Sequence, residues 1–186
     1  DDRIETDVDG TITARTEGDV NIADTGTLDL IADSEKGQVN ASAAKDLNLK
    51  NTVGDLVVGP IEAGDDVTII AKESIVAGDR HGRDAQVKGN SISMTAQHGQ
   101  IGTSEDAFLV DTDADRFGTL YAKGNYLNIE EISGDMGLGV IETENGDVAL
   151  TAARDVLDTR DEGESKENII VGNGDVQINA ENGVIG

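Results

Sequence analysis

Apolar side chains fall on alternate positions in short phrases, and polar runs rich in Gly, Asn and Asp separate the phrases. The fullest phrase is Asp175-Val-Gln-Ile-Asn-Ala-Glu-Asn-Gly-Val-Ile-Gly186, and it recurs from Asp66 to Ala77, from Ser91 to Gly102 and from Asp147 to Asp158. Its second column holds Val67, Ile92, Val148 and Val176, and its fourth holds Ile69, Met94, Leu150 and Ile178. The sixth is always alanine: Ala71, Ala96, Ala152 and Ala180. A short apolar pair such as Val184-Ile185 closes the phrase. A period of two defines strands with one buried face, and no stretch sustains a 3.6-residue period, so the pattern predicts essentially no helix.

The phrases recur at a coil length. Strands are predicted to start at Asp19, Thr27, Gln38, Asp46, Asp55 and Asp66, with Gly18, Gly26, Gly37 and Gly54 standing just before four of them. Asp19 to Gln38 and Thr27 to Asp46 each span 19 residues, and Asp46 to Asp66 spans 20. Strands that alternate between two faces at this spacing stack as parallel layers, one turn per layer, about 4.8 Å apart. The expected fold is therefore all-β, a parallel β-helix or β-solenoid, right-handed by the general rule for parallel crossovers. The alanine column fits a corner where the walls converge.

After Asp66 the spacing stretches to 25, 56 and 28 residues. The longest interval holds a weaker copy from Tyr126 to Gly137 and strands at Ala107–Val110 and Gly118–Ala122. Extra residues collect in polar loops at 78–85, 111–116 and 158–168, as insertions in solenoids project from turns. The chain thus reads as one solenoid segment over 1–186, with regular coils over 1–77 and extended turns over 78–186. The opening Asp1-Asp2-Arg3 and the phrase-internal Gly186 suggest a segment of a longer protein.

Composition narrows the partners. Aromatics make up 2% of the 186 residues, so Val, Ile, Leu and Ala must fill the interior. The formal net charge is −24, which leaves no basic stripe for nucleic acid or anionic lipid but suits attraction of Ca²⁺. The absence of cysteine excludes disulfides and thiol chemistry. No apolar run has the length of a membrane span.

Ile101-Gly102, Phe108-Leu-Val-Asp111, Gly118-Thr-Leu-Tyr-Ala122, Tyr126-Leu-Asn-Ile-Glu-Glu131, Ser133-Gly-Asp135 and Gly146-Asp-Val-Ala-Leu-Thr-Ala152 resemble repeats of very large Gram-negative exoproteins. These are of the filamentous-haemagglutinin and leukotoxin type, and the 19-residue spacing of the first third is similar to the haemagglutinin repeat. The resemblance implies a right-handed parallel β-helix, two-partner secretion and a place at the bacterial surface or outside it. It implies no catalytic residue.

The chemistry-bearing residues are few. Asp111, Asp113 and Asp115 alternate as in the first half of a Ca²⁺ loop, but Arg116 replaces the required glycine and Ala122 the bidentate glutamate. An EF-hand is excluded; a looser Ca²⁺ turn is weighed against a solvated acidic turn, and the latter is expected. Asp7, Asp9, Asp65 and Asp66 fit turns, where Asp bonds local backbone. Glu131 stands in the alanine column of the weaker copy. Since an unpaired buried carboxylate is costly, the expected outcome is a register shift that turns Glu131 to water, against a buried pair with Lys123 or Arg154. His81 and His98 are expected at the surface. No Ser–His–Asp order, phosphate loop or zinc signature is present.

Three functions follow. The first is a structural and adhesive segment of a secreted or surface-exposed exoprotein, touching a host-cell surface or extracellular ligand. The second is a segment of a leukotoxin-type cytotoxin. The third, a carbohydrate-active β-helix enzyme, fits poorly with scattered bases and four aromatics. Neighbouring repeats are the expected internal partners, and uncapped ends would favour end-to-end self-association.

Overall fold

A computed structural model describes residues 3–112, 118–160 and 167–186. The described residues form only strands, turns and bends, with no helix. In chain order the first strands are β1 (Ile4–Thr6), β2 (Thr11–Thr16), β3 (Val20–Asp24), β4 (Leu28–Ser34), β5 (Val39–Ala43), β6 (Leu47–Lys50) and β7 (Leu56–Ala63). There follow β8 (Val67–Ala71), β9 (Ile75–Ala77), β10 (Val87–Gly89), β11 (Ile92–Ala96), β12 (Phe108–Thr112), β13 (Leu120–Lys123) and β14 (Leu127–Glu131). The last are β15 (Met136–Thr143), β16 (Val148–Ala152), β17 (Val156–Asp158), β18 (Ile169–Val171) and β19 (Val176–Ala180). The strands β3 to β8 each begin one residue after the starts expected from the spacing.

Two parallel sheets face each other across the core. One runs β1-β3-β5-β7-β10-β12-β14-β16-β19 with β9 beside β7, and the other runs β2-β4-β6-β8-β11-β13-β15-β17 with β18 beside β15. Every strand pairs with one from the next coil, which makes a parallel β-solenoid of about eight turns. In-register stacking follows: Leu28 lies on Leu47 and Leu47 on Val67, which lies on Ile92 and then Leu120. The apolar row is continuous because one face of each strand is buried and a one-residue slip would turn it to water. Phe108, Ile75, Ile101, Leu127 and Ile129, on the other side of the core, are fully buried as well.

The four fullest phrases, alike in pattern, do not lie in one column. Those from Asp66 and Ser91 form β8 and β11 in one sheet, and those from Asp147 and Asp175 form β16 and β19 in the other. Ala71 therefore pairs with Ala96, and Ala152 with Ala180, at two separate corners. A phrase specifies a strand with a small residue at its corner; the accumulated turn lengths decide which wall it joins.

Two bulges absorb extra residues. Gly59-Pro60 lies between the Val39–Val58 and Ala41–Ile61 pairs, and Gly139-Val140 between the Leu120–Leu138 and Ala122–Ile141 pairs. Proline, lacking an N–H, suits the interrupted ladder. Gly59 leaves room for Asn40, whose Oδ1 would lie 1.9 Å from an added Cβ. That Asn40 donates from Nδ2 to Asn21 Oδ1 of the preceding coil at 2.7 Å.

Candidate functional site

The groups with chemical potential sit at corners, and Glu131 is the most unusual. It ends β14 in a column that runs Ile22, Ala41, Ile61, Val87, Val110, Glu131, Ala152, Ala180. The expected register shift does not occur: Glu131 is 0% exposed and pairs directly with Val110 and Ala152. The alternative basic partners are committed elsewhere, Lys123 to Glu142 at 2.8 Å and Arg154 to Asp135 at 3.3 Å. The carboxylate is instead met by neutral donors. Thr112 donates its N–H (2.8 Å) and hydroxyl (2.7 Å) to Oε2, and Ser133 donates its N–H (3.1 Å) to Oε1. Burial pushes the carboxyl pKa up to about 8, against the pull of those donors, and the like charge of Asp111 adds to the rise. The sequence pattern turned Glu131 to water or, failing that, paired it with a cation; the signal it lacked was a threonine 19 residues upstream, one coil away.

Two further corners repeat the device. Asp24 accepts the Thr6 hydroxyl at 2.6 Å, and the N–H groups of Gly26 and Val8. The Thr6 bond leads in holding the Asp24 carboxyl below its ordinary range, against desolvation. Asp33 accepts the N–H and hydroxyl of Thr52, each at 2.7 Å, and Arg15 Nε at 3.2 Å. Desolvation works against ionisation there, but the Thr52 donors and Arg15 outweigh it and hold the pKa low.

Aspartates that open strands bond across coils too. Asp19 accepts the Gln38 N–H at 2.9 Å, Asp55 the Ser74 N–H at 2.9 Å, Asp66 the Ser91 N–H at 3.0 Å, and Asp147 the Asp175 N–H at 2.9 Å. The turn aspartates, expected to bond their own local backbone, here include Asp66 capping the next layer. The Gly-Asp-Val phrase thus carries its Asp as a fastener between layers, which accounts for part of the acidic excess.

The outer face carries a fastened excursion at residues 78–85. Asp79 N–H donates to Gln38 Oε1 at 2.7 Å, Arg80 pairs with Asp106 at 3.2 Å, and Arg83 pairs with Glu130. Near it Gln86 is fully buried; its Oε1 accepts the Leu109 N–H at 2.9 Å and its Nε2 has no partner. His81 is exposed in this excursion. His98 lies elsewhere, its Nδ1 3.1 Å from the Lys72 carbonyl.

Of the alternating aspartates, Asp111 lies within β12 rather than in a loop and pairs with Lys88 at 3.1 Å; Asp113 and Asp115 lie outside the described residues. Among the described residues, Asp46, Asp65 and Asp66 bring carboxylate oxygens within 4.8 Å of one another on the surface. Asp46 Oδ1 and Asp66 Oδ1 are each taken by a backbone N–H of the next coil. An open groove of about 770 Å³ lies along an early corner, lined by Arg15, Glu17, Asp33, Glu35, Val53 and Val57.

The geometry defines a repeat protein of the parallel β-solenoid class, in which carboxylates and hydroxyls at several corners join successive coils. Comparison with family models, curated proteins and solved structures returned no match. No helix among the described residues is long and apolar enough to cross a membrane.

Proposed function

We propose that this chain is a non-enzymatic structural and adhesive segment of a large secreted or surface-exposed bacterial exoprotein, a rod that spaces and presents its turn excursions to a host-cell surface or extracellular ligand. The observation that carries the reading is the unbroken side-chain stacking from β1 to β19, in which neighbouring repeats are each other's partners. Polar groups in the corners serve that stacking, as Thr52 and Asp33 do. The resemblance of residues 101–152 to haemagglutinin- and leukotoxin-type repeats supports secretion and surface display.

The test is binding of the labelled chain to cultured host cells, beside a variant in which residues 79–84 are replaced by a two-residue Gly-Asn turn. Saturable binding that the variant loses, with its strand spectrum retained, is expected. Release of unsaturated or reducing ends from polysaccharides would replace the reading with an enzymatic one, and cell lysis by the chain would replace it with the toxin reading.

A further inference from the structure

Glu131 poses a question that the adhesive reading leaves untouched. One ionisable side chain stands in a column that is otherwise Val, Ile and Ala over eight successive pairings. A buried carboxylate without a counter-cation is costly, whereas a neutral carboxylic acid with the same neighbours is not. The three contacts accommodate both forms. Thr112 Oγ1, 2.7 Å from Oε2, can donate to the anion or accept the acid's proton by rotating its hydroxyl. The Thr112 and Ser133 N–H groups donate to the two oxygens in either form.

The surrounding charges favour the acid. From β12 the facing group is Asp111, paired with Lys88 of β10 at 3.1 Å. On β14 itself Glu130 points to the other face and pairs with Arg83. In the turn and strand that follow, Asp135 pairs with Arg154 at 3.3 Å. Each nearby cation therefore has its own carboxylate.

We propose that Glu131 is a proton-operated clasp between successive coils. Its neutral acid holds Thr112 of one coil against Ser133 of the next, and its anion loosens that corner without unwinding the rod. The sense follows from linkage. The closed corner binds the proton with a pKa near 8, while an opened corner returns the carboxyl to its ordinary value of 4.5. Closure is strongest below 4.5, weakens as pH rises between the two values, and levels off above about 8.

Two measurements on the whole chain test this. Amide hydrogen exchange, corrected for the intrinsic pH dependence, should show protection at Thr112 and Ser133 falling by up to about tenfold per pH unit from pH 5 to 8, then flattening. In Glu131→Gln the same amides should be protected independently of pH. Carbon-13 observation of the Glu131 carboxyl in the unaltered chain needs no variant and should give a midpoint within about one unit of 8. An ordinary carboxylate midpoint, or an identical pH profile in Glu131→Gln, overturns the clasp.

Discussion

Thr52 and Asp33 lie one coil apart and are joined twice over, the threonine giving both its N–H and its hydroxyl to one carboxylate at 2.7 Å each. The backbone bond belongs to the corner; the hydroxyl is an added fastener. Thr52→Val keeps the shape and removes the second bond, leaving Oδ2 with Arg15 alone. A loss of about 1.5–3 kcal/mol is expected in urea unfolding, the range for a hydrogen bond to a charged group. An unchanged midpoint would mean that water replaces the hydroxyl.

The same carboxylates set an acid limit. Asp24 and Asp33 have folded pKa values held below 3.8, so their contribution is fully present above that value and is lost as pH falls through the lowered ones. Glu131 has the opposite sign, its contribution being lost as pH rises from 4.5 to about 8. Melting temperature against pH should therefore peak between about 4 and 5 as far as these groups decide it. Asp33→Asn should flatten the acid side and leave the alkaline side unchanged.

Which of these features could be read from the chain alone depends on range. Alternation at Val67, Ile69 and Ala71 reports burial within one strand, so strand positions were legible. Coil length was legible as well, because the early turns are short and alike. Sheet membership was not: the phrases at Asp66 and Asp147 match locally yet lie in opposite walls. Glu131 and Thr112 are 19 residues apart, and nothing within either phrase announces the other. The Lys88 partner of Asp111 is hidden for a related reason, since it comes from the preceding coil.

Core packing gives a sharper expectation. Phe108 is fully buried and the largest such side chain among the described residues, between layers where Ile129 and Leu150 continue its column. Phe108→Ala removes a ring that the rigid stacked walls cannot collapse to fill. The expected cost is about 3–5 kcal/mol by chemical denaturation. A loss under about 1 kcal/mol would show that the walls relax far more readily than close packing allows.

Gly54 and Gly102 separate backbone strain from crowding. Their φ angles are nearly equal, 68° and 71°. An added Cβ meets nothing within 4 Å at Gly54, but at Gly102 it would lie 2.4 Å from the Asn128 carbonyl oxygen of the next coil. Gly54→Ala should therefore cost about 1 kcal/mol, the price of a left-handed non-glycine residue. Gly102→Ala should cost at least about 2 kcal/mol more, because overpacking forces two coils apart. Equal costs in thermal denaturation would refute the steric account.

The net charge of −24 on a rod whose aspartates stack at layer spacing makes stability depend on screening. At Asp46, Asp65 and Asp66, carboxylate oxygens approach within 4.8 Å, where like charges repel and added salt weakens the repulsion. Raising NaCl from about 20 to 500 mM should raise the melting temperature by several degrees, since the Debye length shrinks from about 20 to 4 Å. Asp65→Asn should raise it in low salt and reduce the response to salt. Because backbone N–H groups already occupy one oxygen of Asp46 and of Asp66, Ca²⁺ should act no more strongly than another divalent cation at equal ionic strength. A saturable Ca²⁺-specific rise that Asp65→Asn abolishes would identify the corner as a true metal site and contradict the screening account.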